Sequence, residues 1–284
     1  MSALRSVVET VDEETVSRCI TPLVLTFNEA PNLRRTLERL AWAGEVVVLD
    51  SGSTDETLSI ASGFSNVRLV HRLFDDFARQ FSAGANACQT DWVLALDADH
   101  VLSEELAGEL RRWRPVTGTY AYFVRFRYCL AGQPLRASLY PPRIALFDRT
   151  NCRYVQDGHH QVLQYPGTAG WLSGPVLHDD RKPLGRWLAD QDRYARQEAE
   201  KLSSTMPSAL TWPDRCRRQV VIAPLLVFLG TLLFKGVILD GWRGWLYACQ
   251  RTIAELLLSL RLAQARLDTR EQPRGNEVRL RVEE

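Results

Sequence analysis

Short apolar runs, each closed by a polar cluster, organise the first part of the chain. Ile20 to Phe27 (ITPLVLTF) is a continuous apolar run bounded by turn-forming residues, the pattern of a strand covered on both faces. Asn28 follows as a turn and cap residue, and Pro31 suits a helix start. Leu33, Leu37, Leu40 and Ala41 then recur at helical spacing until Gly44. Glu45 to Leu49 (EVVVL) predicts a second buried strand, followed by a helix over 55–62. A strand over 67–70, a helix over 76–89 and a strand from Trp92 to Leu96 (WVLAL) continue the alternation. Ser103 is placed to cap a helix reaching Trp113, with Glu104 and Glu105 in its first turn.

Strands and helices in this strict alternation predict an α/β fold: a doubly wound, mostly parallel, Rossmann-like sheet with helices on both faces. Such sheets bind ligands at the carboxyl ends of their strands. Three polar clusters fall at three of those ends: Thr26 to Glu29, Asp50 to Asp55, and Asp97 to His100.

The second half changes character. Tyr120 to Leu130 alternates as one strand and Arg143 to Asp148 as another. A loop then carries Gln156-Asp157-Gly158-His159-His160-Gln161, and a strand-like run ends on His178-Asp179-Asp180. A polar helix is predicted over 185–204. The resulting division is a leader over 1–18, a catalytic domain over 19–205, an apolar and amphipathic helical extension over 206–272, and a tail over 273–284.

Within that extension, Val220 to Phe234 is almost wholly apolar. Fifteen helical residues rise only about 22 Å, short of a hydrocarbon core of about 30 Å. Arg215, Arg217 and Arg218 precede the run, Trp242 and Trp245 follow it, and an amphipathic helix is predicted over 245–267. Three readings stay open: a monotopic or re-entrant membrane element over 215–267, a buried helix or homo-oligomer interface, and a spanning helix that continues through Lys235 to Leu239.

Composition narrows the function classes. A net charge of +1 (Lys+Arg 35, Asp+Glu 34) argues against a nucleic-acid partner. The six cysteines form no Cys-x-x-Cys pair, consistent with reduced thiols. The N-terminus lacks the apolar core of a signal peptide, so the expected location is cytoplasmic, peripheral or monotopic at the inner face of the plasma membrane.

Asp97-Ala98-Asp99 carries the most chemistry. Two carboxylates two residues apart at a strand end can share a hard divalent cation, Mn²⁺ or Mg²⁺, which completes its shell with substrate phosphates. Such a cation stabilises the charge that grows on a departing diphosphate. Asp50 can accept from a base N–H or a ribose hydroxyl, and Ser51 to Ser53 let the backbone approach a ligand. Asp55 is placed equally well to cap the next helix. Glu29 can hold a ribose hydroxyl or favour the helix N-terminus. Arg79 can pair with a diphosphate or stay solvated on its helix. His178 is a candidate third metal or diphosphate ligand.

Three segments, TFNEAPNL (26–33), VVVLDSGSTDETL (46–58) and DWVLALDADHVL (91–102), resemble the family 2 glycosyltransferases. The likeness extends over roughly residues 20–180 and is nearest to the bacterial enzymes that build lipopolysaccharide core or exopolysaccharide, similar to the lipopolysaccharide core β-glucosyltransferases. It implies the GT-A fold, a nucleotide-sugar donor, usually a UDP-sugar, and a divalent metal. It places Asp50 at the nucleotide base, Asp97 and Asp99 at the ribose and the metal, and an Arg or Gln near the donor where Arg79 stands; the polar clusters themselves add Thr26, Asn28, Glu29 and Ser53 as donor-binding candidates and His178 as a metal candidate. It also implies a glycan or lipid-linked acceptor. An inverting transfer needs a base for the acceptor hydroxyl. Relatives place a Val-His-Glu-like motif where this chain has His159-His160-Gln161; Gln161 cannot act as a base, so Asp157 is the first candidate, with His159 and His160 beside it.

Other readings compete with transfer. A nucleotidyltransferase would carry a Gly-rich basic loop after strand one, which TFNEAPN lacks, and a nicotinamide dehydrogenase would carry Gly-x-Gly-x-x-Gly there. The change at Gln161 leaves room for a membrane-associated scaffold that binds a nucleotide sugar without turning it over.

Overall fold

The computed structural model describes residues 19–136, 140–157 and 160–271. The leader expected over 1–18, the tail over 273–284 and His159 lie outside the described residues. The chain divides into two compact units, Met1–Pro183 and Leu184–Glu284.

The first unit is built on a seven-stranded sheet in the order β12-β6-β9-β4-β1-β2-β3. Strands β1 (Ile20–Thr26), β2 (Val46–Asp50), β3 (Val67–His71) and β4 (Trp92–Asp97) are mutually parallel, with Leu23 opposite both Val47 and Ala95. The helices between them are α1 (Leu33–Glu38), α2 (Thr57–Ser62) and α3 (Phe77–Ala87). The antiparallel member is β9 (Arg143–Asp148), paired with β4 and with β6 (Thr119–Val124); β12 (Thr168–Trp171) adds parallel to β6.

The apolar runs are continuous because alternate residues enter two different cores. Ile20, Val24, Val46, Val48, Leu94 and Leu96 pack with Leu33, Leu37 and Leu40 and with Leu106 and Leu110 of α4 (Glu104–Arg112). Leu23, Leu25, Val47, Leu49 and Val93 pack with Phe81 and Ala85 of α3 on the opposite face. The sheet is therefore doubly wound, and its strands fall within a residue of those read from the sequence, whereas α1 ends at Glu38, well short of the Gly44 expected to stop it.

Ser103 caps α4 by accepting from Leu106 N at 3.1 Å. Replacing it with alanine is expected to cost about 1 kcal/mol. In a domain of this size that lowers the melting midpoint by roughly 2–4 °C, read by a thermal melt.

Two departures from expectation shape the site. The strand predicted over 120–130 is two strands, β6 and β7 (Phe126–Leu130), separated at Arg125. Only β6 joins the large sheet; β7 joins a smaller one in the order β5-β13-β7-β8, with β5 at His100–Leu102, β13 at Val176–His178 and β8 at Gln133–Pro134. The loop expected around 156–161 is the tip of a hairpin, β10 (Arg153–Asp157) and β11 (His160–Gln164).

The second unit is helical. It contains α5 (Leu184–Ser204), α6 (Trp212–Arg217), α7 (Ile222–Leu229), a π-helical turn over Gly230–Phe234, a 3₁₀ turn over Val237–Asp240, and α8 (Trp242–Glu271). Ala195, Ala199 and Leu202 of α5 form its core with Leu210, Leu258 and Leu262. The expected boundary at 205/206 therefore moves to 183/184, because α5 buries its apolar face against α8.

The apolar run over 220–239 is not one helix. Gly236 and Gly241 adopt left-handed φ values of 72° and 61°, a region that suits glycine and interrupts helical hydrogen bonding. No helix among the described residues is long and apolar enough to cross a membrane. Much of the run faces outward: Val221, Leu225, Phe234 and Leu239 are exposed, Phe234 at 92%.

Candidate active site

The carboxyl ends of β1 and β2 are laced into one rigid rim. Asp50 is completely buried, and both its oxygens are occupied. Oδ1 accepts from Thr26 Oγ1 (2.8 Å) and Ser53 Oγ (2.5 Å); Oδ2 accepts from Gly52 N (2.9 Å) and Ser53 N (2.8 Å). Asn28, in a left-handed conformation (φ 54°), donates from its backbone N to Ser53 Oγ at 2.7 Å. Its side-chain Oδ1 accepts from Thr54 N (2.7 Å) and Asp55 N (3.2 Å). Glu29 N donates to Thr57 Oγ1 at 2.7 Å, and Ala30 N to Asp55 Oδ2 at 3.2 Å.

The end of β4 carries the acidic motif. Asp97 keeps a partly open carboxylate (44% exposed), whereas Asp99 is buried. Strand β13 runs antiparallel to β5 with His178 opposite His100, and Asp179 N donates to Asp99 O at 3.0 Å. That register puts His178 Nε2 3.1 Å from Asp99 Oδ2. Burial disfavours the charged imidazolium, but Asp99 outweighs it, so the His178 pKa is raised. Burial likewise opposes the charge on Asp99, yet His178, His100 and Lys182 together hold its pKa far below the carboxylate range.

A divalent cation fits these residues. Atoms of Asp99, His100 and His178 lie within 4.8 Å of one another, and Asp99 Oδ1 is buried without a hydrogen-bond donor among the described residues. His178 can offer a ring lone pair. His100 is committed differently: its Nδ1 accepts from Asp97 N at 3.0 Å, which leaves the proton on Nε2, 3.6 Å from Asp97 Oδ2 and 3.7 Å from Asp99 Oδ1. His100 is thus placed to orient the two carboxylates, with Asp99 and His178 as the ligands it leaves available.

A second charged layer adjoins this group. The Lys182 ammonium lies 3.1 Å from Glu29 Oε1, 3.3 Å from Asp180 Oδ1 and 3.9 Å from Asp99 Oδ2. Three carboxylates around one buried ammonium keep Lys182 charged and raise its pKa against burial. Burial pushes Glu29 up to about 7 despite the pull of Lys182. Asn32 bridges Glu29 Oε2 and Asp180 Oδ1, each at 2.9 Å, which ties β1 to the segment after β13.

This geometry coincides with the sequence comparisons. Residues 23–153 match the model of Glycosyl transferase family 2. An uncharacterized glycosyltransferase of Rickettsia bellii is 35% identical over 98 residues, covering 34% of this chain and 33% of the relative. The aligned segment thus spans about a third of the length of that curated relative. The lipopolysaccharide core biosynthesis glycosyltransferase LpsC of Rhizobium meliloti is 20% identical over 261 residues, 86% of this chain and 92% of the relative. Among solved structures, S. aureus TarS 1–349 in complex with UDP-GlcNAc superposes with a TM-score of 0.47 at 13% identity, over 88% of this chain and 92% of that one. The sheet order and the family match together correspond to the GT-A fold.

Several residues of the first unit singled out by sequence now have defined surroundings. Thr26, Asn28, Asp50 and Ser53 hold the rim together, and Asp50 has no oxygen left free for a base or ribose. Arg79 is 72% exposed on α3 and pairs with Asp75 and Asp76 at 3.6 and 3.3 Å. Asp157 and His160 face each other across the last rung of the β10–β11 ladder, and Gln156 Oε1 accepts from Ala78 N at 3.0 Å, which pins the hairpin to α3. His100 and Lys182 were not singled out. Their signal was the rule already applied, that polar clusters closing a strand carry chemistry; the run from His178 to Lys182 closes β13 in that way.

Proposed function

We propose that the protein is an inverting glycosyltransferase that moves a sugar from a nucleotide-sugar donor, with a UDP-sugar as the expected donor, to a glycan or lipid-linked acceptor in bacterial lipopolysaccharide or other cell-surface polysaccharide synthesis. The observation that carries this reading is Asp99: a buried carboxylate at the carboxyl end of β4, hydrogen-bonded to His178 through one oxygen and, among the described residues, without a donor on the other. The rim from Thr26 to Thr57 supplies a preorganised ledge for the nucleoside. Asp97, Asp99 and His178 would hold Mn²⁺ or Mg²⁺, which supplies charge stabilisation for the departing diphosphate. An acceptor hydroxyl oxygen bonds to the anomeric carbon as the bond from that carbon to the diphosphate oxygen breaks. The hydroxyl proton goes to Asp157, or to His159 or His160 beside it, and the nucleoside diphosphate leaves. The outward apolar residues of the helical unit support attachment to a membrane surface through residues 215–267.

The test is a thermal-shift screen of nucleotide sugars with and without Mn²⁺, followed by assay of the stabilising donor for release of nucleoside diphosphate. Stabilisation that requires both donor and metal, together with turnover, is expected. Donor binding with no turnover in any acceptor extract would replace the enzyme by a binding scaffold.

Cation binding should also depend on pH. A protonated His178 cannot ligate, and its pKa is raised by Asp99. The proton competes with the metal at low pH, so apparent Mn²⁺ affinity should rise as pH increases from about 6 to 8. The limit is about tenfold per pH unit while the imidazole is charged. Electron paramagnetic resonance of free Mn²⁺ reads this directly; a flat profile would remove His178 from the ligand set.

A further inference from the structure

The helical unit contains a surface cavity of about 620 Å³ into which Arg215, Arg218 and Arg266 converge, with Ser208 and Gln219 on its wall. Two of the arginines are anchored through backbone carbonyls: Arg215 Nε donates to Leu210 O at 3.1 Å, and Arg266 Nη2 to Arg218 O at 2.5 Å. Their remaining guanidinium hydrogens are not taken by carboxylates among the described residues. The neighbouring acids are engaged elsewhere. Asp214 accepts from Thr211 Oγ1 at 2.6 Å, Asp268 accepts from Gln264 at 2.7 Å, and Glu198 and Glu255 lie on either side of Arg217 at 3.4 and 3.6 Å. Three like charges thus meet at one concavity without a carboxylate partner among the described residues, and their forked donors match phosphate oxygens.

The cavity wall runs into the apolar surface. Gln219 O accepts from Ile222 N (3.0 Å) and Ala223 N (3.1 Å), the first turn of α7. Beyond it Val221, Leu225, Phe234, Leu239, Trp242 and Trp245 are exposed, each by more than half. An apolar face of this kind, flanked by cations and by two tryptophans, complements a bilayer: acyl chains on one side and a layer of phosphates beside it.

We propose that Arg215, Arg218 and Arg266 form a phosphate-binding site for the headgroup of an anionic membrane lipid, seated as the apolar face of α7 and the following turns enters the bilayer. The site rests on the membrane attachment proposed above, and it adds a ligand class and a lipid preference to it. Arg217, which the sequence places in the same basic run, is excluded by its two glutamates.

Vesicle co-sedimentation of the full chain tests this with phosphatidylcholine vesicles, vesicles that also contain phosphatidylglycerol, and inorganic phosphate as the soluble arm. The wild-type chain should prefer the anionic vesicles. The triple variant R215Q/R218Q/R266Q should bind them on the order of 100-fold more weakly while keeping residual binding to phosphatidylcholine, since each arginine near the surface contributes about a fivefold step. Leu225→Ser with Phe234→Ser should abolish binding to both. An unchanged melting midpoint and circular-dichroism spectrum in the triple variant exclude misfolding as the cause of its loss. Equal wild-type binding to both vesicles would overturn the phosphate site and leave membrane attachment intact. Inorganic phosphate stabilising the wild-type but not the triple variant, with no vesicle binding, would overturn the lipid as its source. A dimer dissociated by the double serine change, again with no vesicle binding, would assign the apolar face to a second copy and overturn the proposal.

Discussion

Asp99→Ala is expected to lower sugar transfer on the order of a thousandfold and to remove the Mn²⁺ site. The size of the effect follows from position. Asp99 is buried, with His178 at 3.1 Å, His100 at 3.7 Å and Lys182 at 3.9 Å from its oxygens. Removing the carboxylate deletes a metal ligand and leaves up to three cationic or donating groups facing one another. Losing a charge stabiliser aimed at a leaving group costs about 10²–10³ in turnover, and losing a first ligand adds weakened metal binding. Asp99→Asn separates the two causes, because it keeps the volume and one acceptor but not the charge. Turnover and Mn²⁺ binding should fall together in both variants; undiminished turnover in either one would remove the cation from the mechanism.

The second large effect is on stability. Asp50 is itself fully buried and accepts four hydrogen bonds, each from a donor. Asp50→Asn therefore turns an amide NH₂ toward donors and leaves at least one of them unpaired. Unpaired buried donors cost about 1–3 kcal/mol each, more where the lost partner was charged, so roughly 3 kcal/mol is expected. That corresponds to a melting midpoint lower by roughly 6–12 °C. Donor affinity should weaken with it, because the same loop ties Asn28 and Ser53 into the rim. A variant that melts with the wild type would show that the loop is held by other bonds.

Legibility from sequence differed between the two halves of the first unit, for a physical reason. Strands β1, β2 and β4 are buried on both faces, so their apolar runs are uninterrupted and their ends are marked by the first polar residue. The break between β6 and β7 left no such mark. Arg125 continues the alternation of the residues around it, while the chain leaves one sheet for another. Asp97 and Asp99 stood out because two acids follow an apolar strand. His100 sits in the same motif but adds no periodic signal, and its part depends on which ring nitrogen meets Asp97 N. Lys182 acquires its surroundings only when β13 pairs with β5, an event that local pattern does not encode. The α5 boundary was missed for a related reason: a polar helix shows little of which unit receives its few apolar residues, Ala195, Ala199 and Leu202.

The pairing of β13 with β5 also sets a timetable for synthesis. His178 and Lys182 reach Asp99 only by closing a long stretch of chain, and such closures form late because their entropy is lost before the contact repays it. A nascent chain that has emerged through residue 153 already carries strands β1 to β4 but not the segment that brings His178 and Lys182 to Asp99. A fragment ending before Val176 should therefore retain much of the sheet while being unable to assemble this cluster.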